Sequence, residues 1–215
     1  MSAMDESTGL SEVVPGILHW SAPHPNHGQI VHSHYLSQQR AAIDPIGAVG
    51  LAEALRAAGG IEQILLSNRH HLRGPVELAA EFDAAIRVPR VGLHEFEGPE
   101  DPQVVAYDWG DELMDGVVAH EVGSLAPDDG AFHLRIGPGA LALADSVVLD
   151  ESGLGFVPDK LMDDPERTKA GLLASLRRLL DLEWDVLLMA HGAPLPVAGK
   201  QALASFVESP RSAGL

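Results

Sequence analysis

The sequence has 215 residues, 46% of them hydrophobic and 21% charged, a composition able to bury a sizeable core. Asp and Glu number 31 against 14 Lys and Arg, so the formal charge is −17, which disfavours nucleic acid and anionic membranes as partners. No cysteine is present, and this excludes disulfides, thiolate nucleophiles, cysteine zinc sites and iron–sulfur clusters. Residues 1–11 read as a flexible N-terminus without the basic start and apolar stretch of a signal peptide, and 12–215 as a single domain. The longest apolar runs are too short to cross a bilayer, so the expected location is the cytoplasm.

In chain order, VVPGILHW, GQIVHSHYL and AAID read as strands, the first two separated by the turn formers Pro23, Pro25, Asn26 and Gly28. Residues 47–58 place Val49, Ala52, Leu55 and Ala58 at intervals of three before Gly59 and Gly60, which predicts a short helix with a glycine stop. IEQILLS is a strand running into a polar loop, and a helix is expected over 75–82 with Pro75 in its first turn. From 85 to 149 the chain is strand-like: AIRVPRV, QVVAYDW, GVVAHEVG, AFHLRIG and ALALADSVV alternate with Gly, Pro and Asp clusters. Residues 162–182 carry a leucine stripe (Leu172, Leu173, Leu176, Leu179, Leu180), WDVLLMAHG is a buried strand, and 200–207 form a closing helix. Strand-rich blocks interleaved with helices imply two packed sheets with helices outside, an α/β (α+β) architecture.

Four apolar strands end in polar side chains suited to chemistry. ILLS leads into Asn68-Arg69-His70-His71, GVVA into His120, ALALA into Asp145, and DVLLMA into His191. A rigid sheet fixes what its strand ends carry, and imidazole with carboxylate suits Zn²⁺, Fe²⁺ or Mn²⁺. Any one of these histidines is more often a hydrogen-bonded structural residue. Four such strand ends together favour one shared site.

The phrases ILLSNRHHLRG, AHEVGSL, ALALADSVV and LLMAHGAPL, in this order and spacing, resemble the metallo-β-lactamase fold superfamily from about Val13 to Val207. The resemblance implies an αββα four-layer sandwich, two mixed β-sheets flanked by helices. It also implies hydrolysis by metal-activated water. The family's His-x-His-x-Asp-His motif falls on 68–73, where only His70 matches a ligand; Asn68, Leu72 and Arg73 stand in the other ligand positions. His120 falls at the third-histidine position, Asp145 at the bridging aspartate and His191 at the last histidine. The set so implied is one divalent metal, zinc first with iron or manganese as alternatives, on His70, His120, Asp145 and His191. His71 is a local substitute, and Asp145 and His191 are the catalytic pair. A chain without metal stays open. Leu72 cannot ligate, and Arg73 puts a positive charge where a second cation would sit, so a two-metal centre is not expected.

Asn68 offers a carbonyl oxygen, and Arg69 and Arg73 offer an anion site beside the N-terminus of the 75–82 helix. The ordinary alternative for both arginines is a solvated or carboxylate-paired side chain. His19, His24, His27, His32 and His34 form a histidine-rich tract, in which structural or surface roles outweigh metal binding. His133 reads as a sheet residue, while His94 sits beside Glu95 and Glu97 without an assigned role.

The sequence therefore points to an atypical hydrolase of a small ester, thioester, lactone or related compound at a mononuclear site. The alternatives are a non-catalytic relative binding a small anionic ligand and an oligomeric scaffold with structural histidines. The expected partner is a small molecule, with no nucleic acid and no membrane, and a homo-oligomer is left open.

Overall fold

The computed structural model describes residues 9–212. Of the N-terminal segment expected to be loose, residues 1–8 lie outside the described residues, and Ser11 already pairs with His19 in a strand. Strands β1 (Ser11–Val14), β2 (Ile17–Pro23), β3 (Ile30–Leu36), β4 (Ala41–Ile43), β5 (Gln63–Leu65), β6 (Ala85–Pro89) and β7 (Val104–Tyr107) join in chain order into one sheet. The pairing is antiparallel from β1 to β4 and parallel from β4 to β7. Strands β8 (Glu112–Met114), β9 (Val117–Glu121), β10 (Gly130–Leu134) and β11 (Ala140–Leu143) continue into a second sheet, and β12 (Val148–Asp150) and β13 (Gly153–Gly155) make a separate hairpin. Strand β14 (Val186–Met189) completes the second sheet by lying parallel to β11. Helices α1 (Leu51–Ala57) and α2 (Pro75–Phe82) belong to the first half, α3 (Pro165–Leu180) and α4 (Gly199–Glu208) to the second.

The apolar residues sort into three layers by strand periodicity. Ala41, Ile43 and Leu65 face Ala140, Ala142, Val186 and Leu188 between the sheets. Their neighbours Ala42, Ile64 and Leu66 turn outward with Leu51, Leu55 and Leu78 of the first two helices. Leu141, Leu143, Leu187 and Met189 turn outward with Leu172, Leu176 and Leu179 of α3 and Leu203 of α4. Strands buried on both faces explain the unbroken apolar runs of the sequence. The arrangement is the expected helix–sheet–sheet–helix sandwich of two mixed sheets. Among the described residues no helix is long and apolar enough to cross a membrane.

Three local features differ from the sequence expectations. Gly50 adopts a left-handed conformation (φ 73°), so α1 starts at Leu51 and buries Leu51 and Leu55, while Val49 is left 88% exposed before the helix. ALALADSVV is not one strand: it breaks between β11 and β12, which leaves Asp145 at the corner. The short strands β8 and β13 carry no clear alternation and were not foreseen.

Three histidines of the β2–β3 hairpin, His19, His32 and His34, lie on the face turned toward the other sheet. The β2–β3 register pairs His19 with His34 and Ser21 with His32, so His19, His32 and His34 share a face. A ring nitrogen of His34 lies 3.3 Å from the Met189 carbonyl, and the rings of His19 and His32 stack with a 2.8 Å contact between ring nitrogens. These rings are thus engaged with one another and with the backbone. Burial pushes His34 down to about 3 and His32 to about 4, so both rings are neutral in the folded chain at neutral pH.

Gly139 has φ +80°, and a Cβ there would lie 2.7 Å from the Glu183 oxygen and 2.8 Å from Trp184 Cα. Gly139→Ala should therefore lower the free energy of unfolding by about 1–3 kcal/mol, read from urea midpoints. For His34 the folded state resists a proton that the unfolded chain accepts below about pH 6.5. Its contribution is complete above that pH and falls by about 1.4 kcal/mol per pH unit as the pH drops toward 3. His34→Phe should flatten the acid limb of the stability–pH curve; an unchanged slope contradicts the assignment.

Candidate metal centre

The parallel strands deliver the site. Asp44 follows β4, Ser67 and Asn68 follow β5, Asp145 follows β11, and His191 follows β14. Parallel pairing of β4 with β5 and of β11 with β14 puts these strand ends at one edge of the sandwich. A short 3-10 turn, Arg69–His71, then carries the chain inward, started by Asn68, whose side-chain oxygen accepts from the His70 backbone N–H.

Within this turn His71 is buried and His70 is exposed. His71 Nδ1 lies 3.0 Å from Asp44 Oδ1, and its Nε2 lies 3.1 Å from Asp145 Oδ1. His191 Nε2 approaches the same Asp145 oxygen at 2.9 Å. One ligand atom each from His71, Asp145 and His191 lie within 4.8 Å of one another. Ligands held about 2.0–2.1 Å from one ion lie at comparable separations, so this donor set fits a single divalent cation.

Hydrogen bonds fix each member. Asp44 accepts from the Ser67 backbone N–H at 2.8 Å and the Ser67 hydroxyl at 2.5 Å, and it adopts a left-handed backbone (φ 46°). Asn68 Nδ2 donates to Asp145 Oδ2 at 2.9 Å. The His191 carbonyl accepts from the Leu149 backbone N–H at 2.8 Å. Gly192 at φ +145° permits this approach, because a Cβ there would lie 2.5 Å from Leu149 Cβ.

The charges are mutually dependent. Burial alone would lower the affinity of His71 for a proton, but Asp44 and Asp145 override it and raise the ring to about 9. Burial would raise Asp145, yet His71 and His191 hold it well below the usual carboxylate range. Burial and the nearby Asp145 charge push Asp129 well upward instead, which favours its neutral form. The metal-free chain thus holds a charged imidazole between two carboxylates.

Asp145 and His191 of the cluster line a cleft of about 600 Å³, whose lining also includes His27, His70, Val148, Val157 and Lys160, while His71 is buried behind them. Of the sequence candidates, Asp145, His191 and His71 converge. His70 lines the cleft without joining the cluster, because successive residues of a tight 3-10 turn point in different directions. His120 is also outside the cluster: Val117 and Ala119 of the same strand face the other sheet, which turns His120 outward beside His133, with ring centroids 6.1 Å apart. Asn68 does not offer its oxygen as a ligand, since that atom caps the turn. Arg69 does not face the cleft as an anion receptor; its guanidinium pairs with Asp128 and lies 3.6 Å from Glu95. Leu72 packs against the outer core. Arg73 interacts electrostatically with Asp44 and Asp145, and its Nε and Nη2 are buried without a hydrogen-bond partner.

Asp44, Asp128 and Asp129 were missed. Asp44 had the same signal as Asp145, a carboxylate directly after an apolar strand, and AAID displays it. Asp128 and Asp129 sit in a Pro-Asp-Asp-Gly turn that looks like ordinary loop sequence.

No family model and no curated protein matches this sequence. Solved structures do resemble it. A metallo-β-lactamase family protein of Thermus thermophilus superimposes with a TM-score of 0.67 at 17% identity, covering 92% of this chain and 80% of that one. A Cronobacter sakazakii metallo-β-lactamase described by a HARLDQ motif gives 0.62 at 15% identity over 92% and 89%. The hydrolase AbOPH of the β-lactamase superfamily gives 0.60 at 12% identity over 88% and 91%. Likeness at these identities is a likeness of architecture, and by it the chain has the metallo-β-lactamase fold.

Proposed function

We propose that the chain is an atypical metal-dependent hydrolase of a small ester, thioester, lactone or related carbonyl compound, with one metal. The observation that carries this reading is the convergence of His71 Nε2 and His191 Nε2 on Asp145 Oδ1, with Asp145 and His191 lining the cleft. Two imidazoles and a carboxylate form a three-ligand set of the kind that leaves a coordination position open, and they suit zinc, with iron or manganese as alternatives. A cation held there supplies the chemistry of lowering the pKa of bound water from 15.7 toward about 7.

The chain's own residues do the remaining work. Asp44 holds His71 through Nδ1, so that Nε2 faces the cluster. Asn68 holds the second oxygen of Asp145, leaving the first for His71 and His191. Arg73 contributes fixed positive charge near Asp145, and Leu72 is turned into the core, so a second metal finds neither room in charge nor a ligand there.

A second reading, a non-catalytic relative that binds a small anion, is favoured by a different observation. The three candidate ligand atoms already satisfy one another through contacts of 3.1 and 2.9 Å, and Arg73 keeps buried N–H groups without partners.

Elemental analysis of untagged protein decides between them. The hydrolase reading expects about one metal per chain, hydrolysis of an activated ester that stops on chelation, and recovery when Zn²⁺ or Mn²⁺ is returned. His71→Ala and His191→Ala should each lose the metal, whereas His70→Ala should keep it. Added Zn²⁺ at about 100 times its dissociation constant should stabilise wild type by about 2.7 kcal/mol and leave the two ligand variants unmoved. Metal-free wild type with no thermal response to either ion would place the anion-binding reading first.

A further inference from the structure

The cleft above the cluster changes character along its length. One wall is apolar, formed by Leu125, Val148, Val157 and Leu161. Leu161 is 61% exposed, a large apolar side chain presented beside a concave surface. Immediately before it in the 3-10 turn Asp159–Leu161 stands Lys160, also exposed and also lining the cleft. Its sequence neighbour Asp159 is engaged elsewhere, 2.6 Å from Lys169 and accepting from Ser212 at 2.8 Å. Among the described residues Lys160 forms no ion pair, in a chain where acids outnumber Lys and Arg by 31 to 14. The one carboxylate lining this cleft is Asp145, already held by His71 and His191. A neighbouring cavity of about 460 Å³ shares Leu125 and Leu161 but sets Asp163 and Asp164 beside Arg167, which opposes an anion on that side.

We propose that the cleft selects an amphiphilic anion: a compound whose apolar body lies along Val148, Val157 and Leu161 and whose negatively charged end pairs with Lys160. Under the hydrolase reading, on which the placement of the reacting group rests, the carbonyl of such a compound is directed toward His71, Asp145 and His191. Contact with the apolar wall and with Lys160 needs no metal. A volume of about 600 Å³ lies within the range of small-ligand sites, where apolar lining supplies affinity and a few polar groups fix orientation. Opposite charge at the mouth also discriminates against cations of the same shape.

The test is calorimetric titration with sodium octanoate, which has the body and the charge but no cleavable bond, beside octyltrimethylammonium. Both are run on wild type, on wild type stripped with chelator, and on Lys160→Glu and Leu161→Asp, whose exposed positions leave the fold intact as checked by thermal melting. Octanoate is expected to bind at least tenfold more tightly than the ammonium compound, before and after chelation. Lys160→Glu should weaken octanoate about tenfold or more and reverse the charge preference, while Leu161→Asp should weaken both probes. Equal octanoate affinity in Lys160→Glu, or equal affinity of wild type for the two probes, overturns the proposal. So does octanoate binding that vanishes on chelation, because the carboxylate would then have been on the metal. The two readings fail separately: a metal-bearing chain that ignores octanoate removes only this inference, and a metal-free chain that binds it through Lys160 removes only the hydrolase.

Discussion

The carboxylate of Asp145 is the constraint around which this structure is arranged. It stands at the end of a strand buried on both faces, where an unpaired negative charge would be expelled or neutralised. Three side chains from two other strand ends answer it: His71 and Asn68 beyond β5, and His191 beyond β14. These strand ends belong to different sheets, so the charge balance is met only once both sheets are assembled. The site is in this sense a product of the sandwich closing. His71 in turn needs Asp44, which needs Ser67, and the chain of requirements runs from the first half of the molecule into the second.

The same dependence explains why Asp129 goes the other way. Two carboxylates near one another in a buried place cannot both ionise cheaply, and the histidines are arranged around Asp145. Asn68 touches both, donating to Asp129 at 3.3 Å and to Asp145 at 2.9 Å. An amide is the suitable mediator here because it gives hydrogen bonds without adding charge. A residue that looked from the sequence like a lost ligand is instead part of what orients a retained one.

Much of the architecture was legible because its signals are local. The helix over 75–82 is marked by Pro75 at its first turn, and α3 by the spacing of Leu172, Leu176 and Leu179. Strand ends carrying Asp145 and His191 stood out because polar residues interrupt apolar runs. What could not be read was direction. His70 and His71 are adjacent, and only the tight turn after Asn68 decides that the second is buried and the first exposed. His120 was misplaced for a related reason: alternation along β9 says that its face differs from that of Ala119, but not which face meets the other sheet. Arg69 was drawn away by Asp128, a partner 59 positions distant whose approach no local pattern announces.

The bond from the Leu149 N–H to the His191 carbonyl ties a candidate ligand to the β12 hairpin, and Val148 of that hairpin lines the cleft. Gly192 leaves no slack in this joint, since Leu149 already occupies the space a side chain would take. Wall and candidate ligand are therefore joined directly through the backbone. The cleft wall and one edge of the donor cluster thus share a single backbone joint.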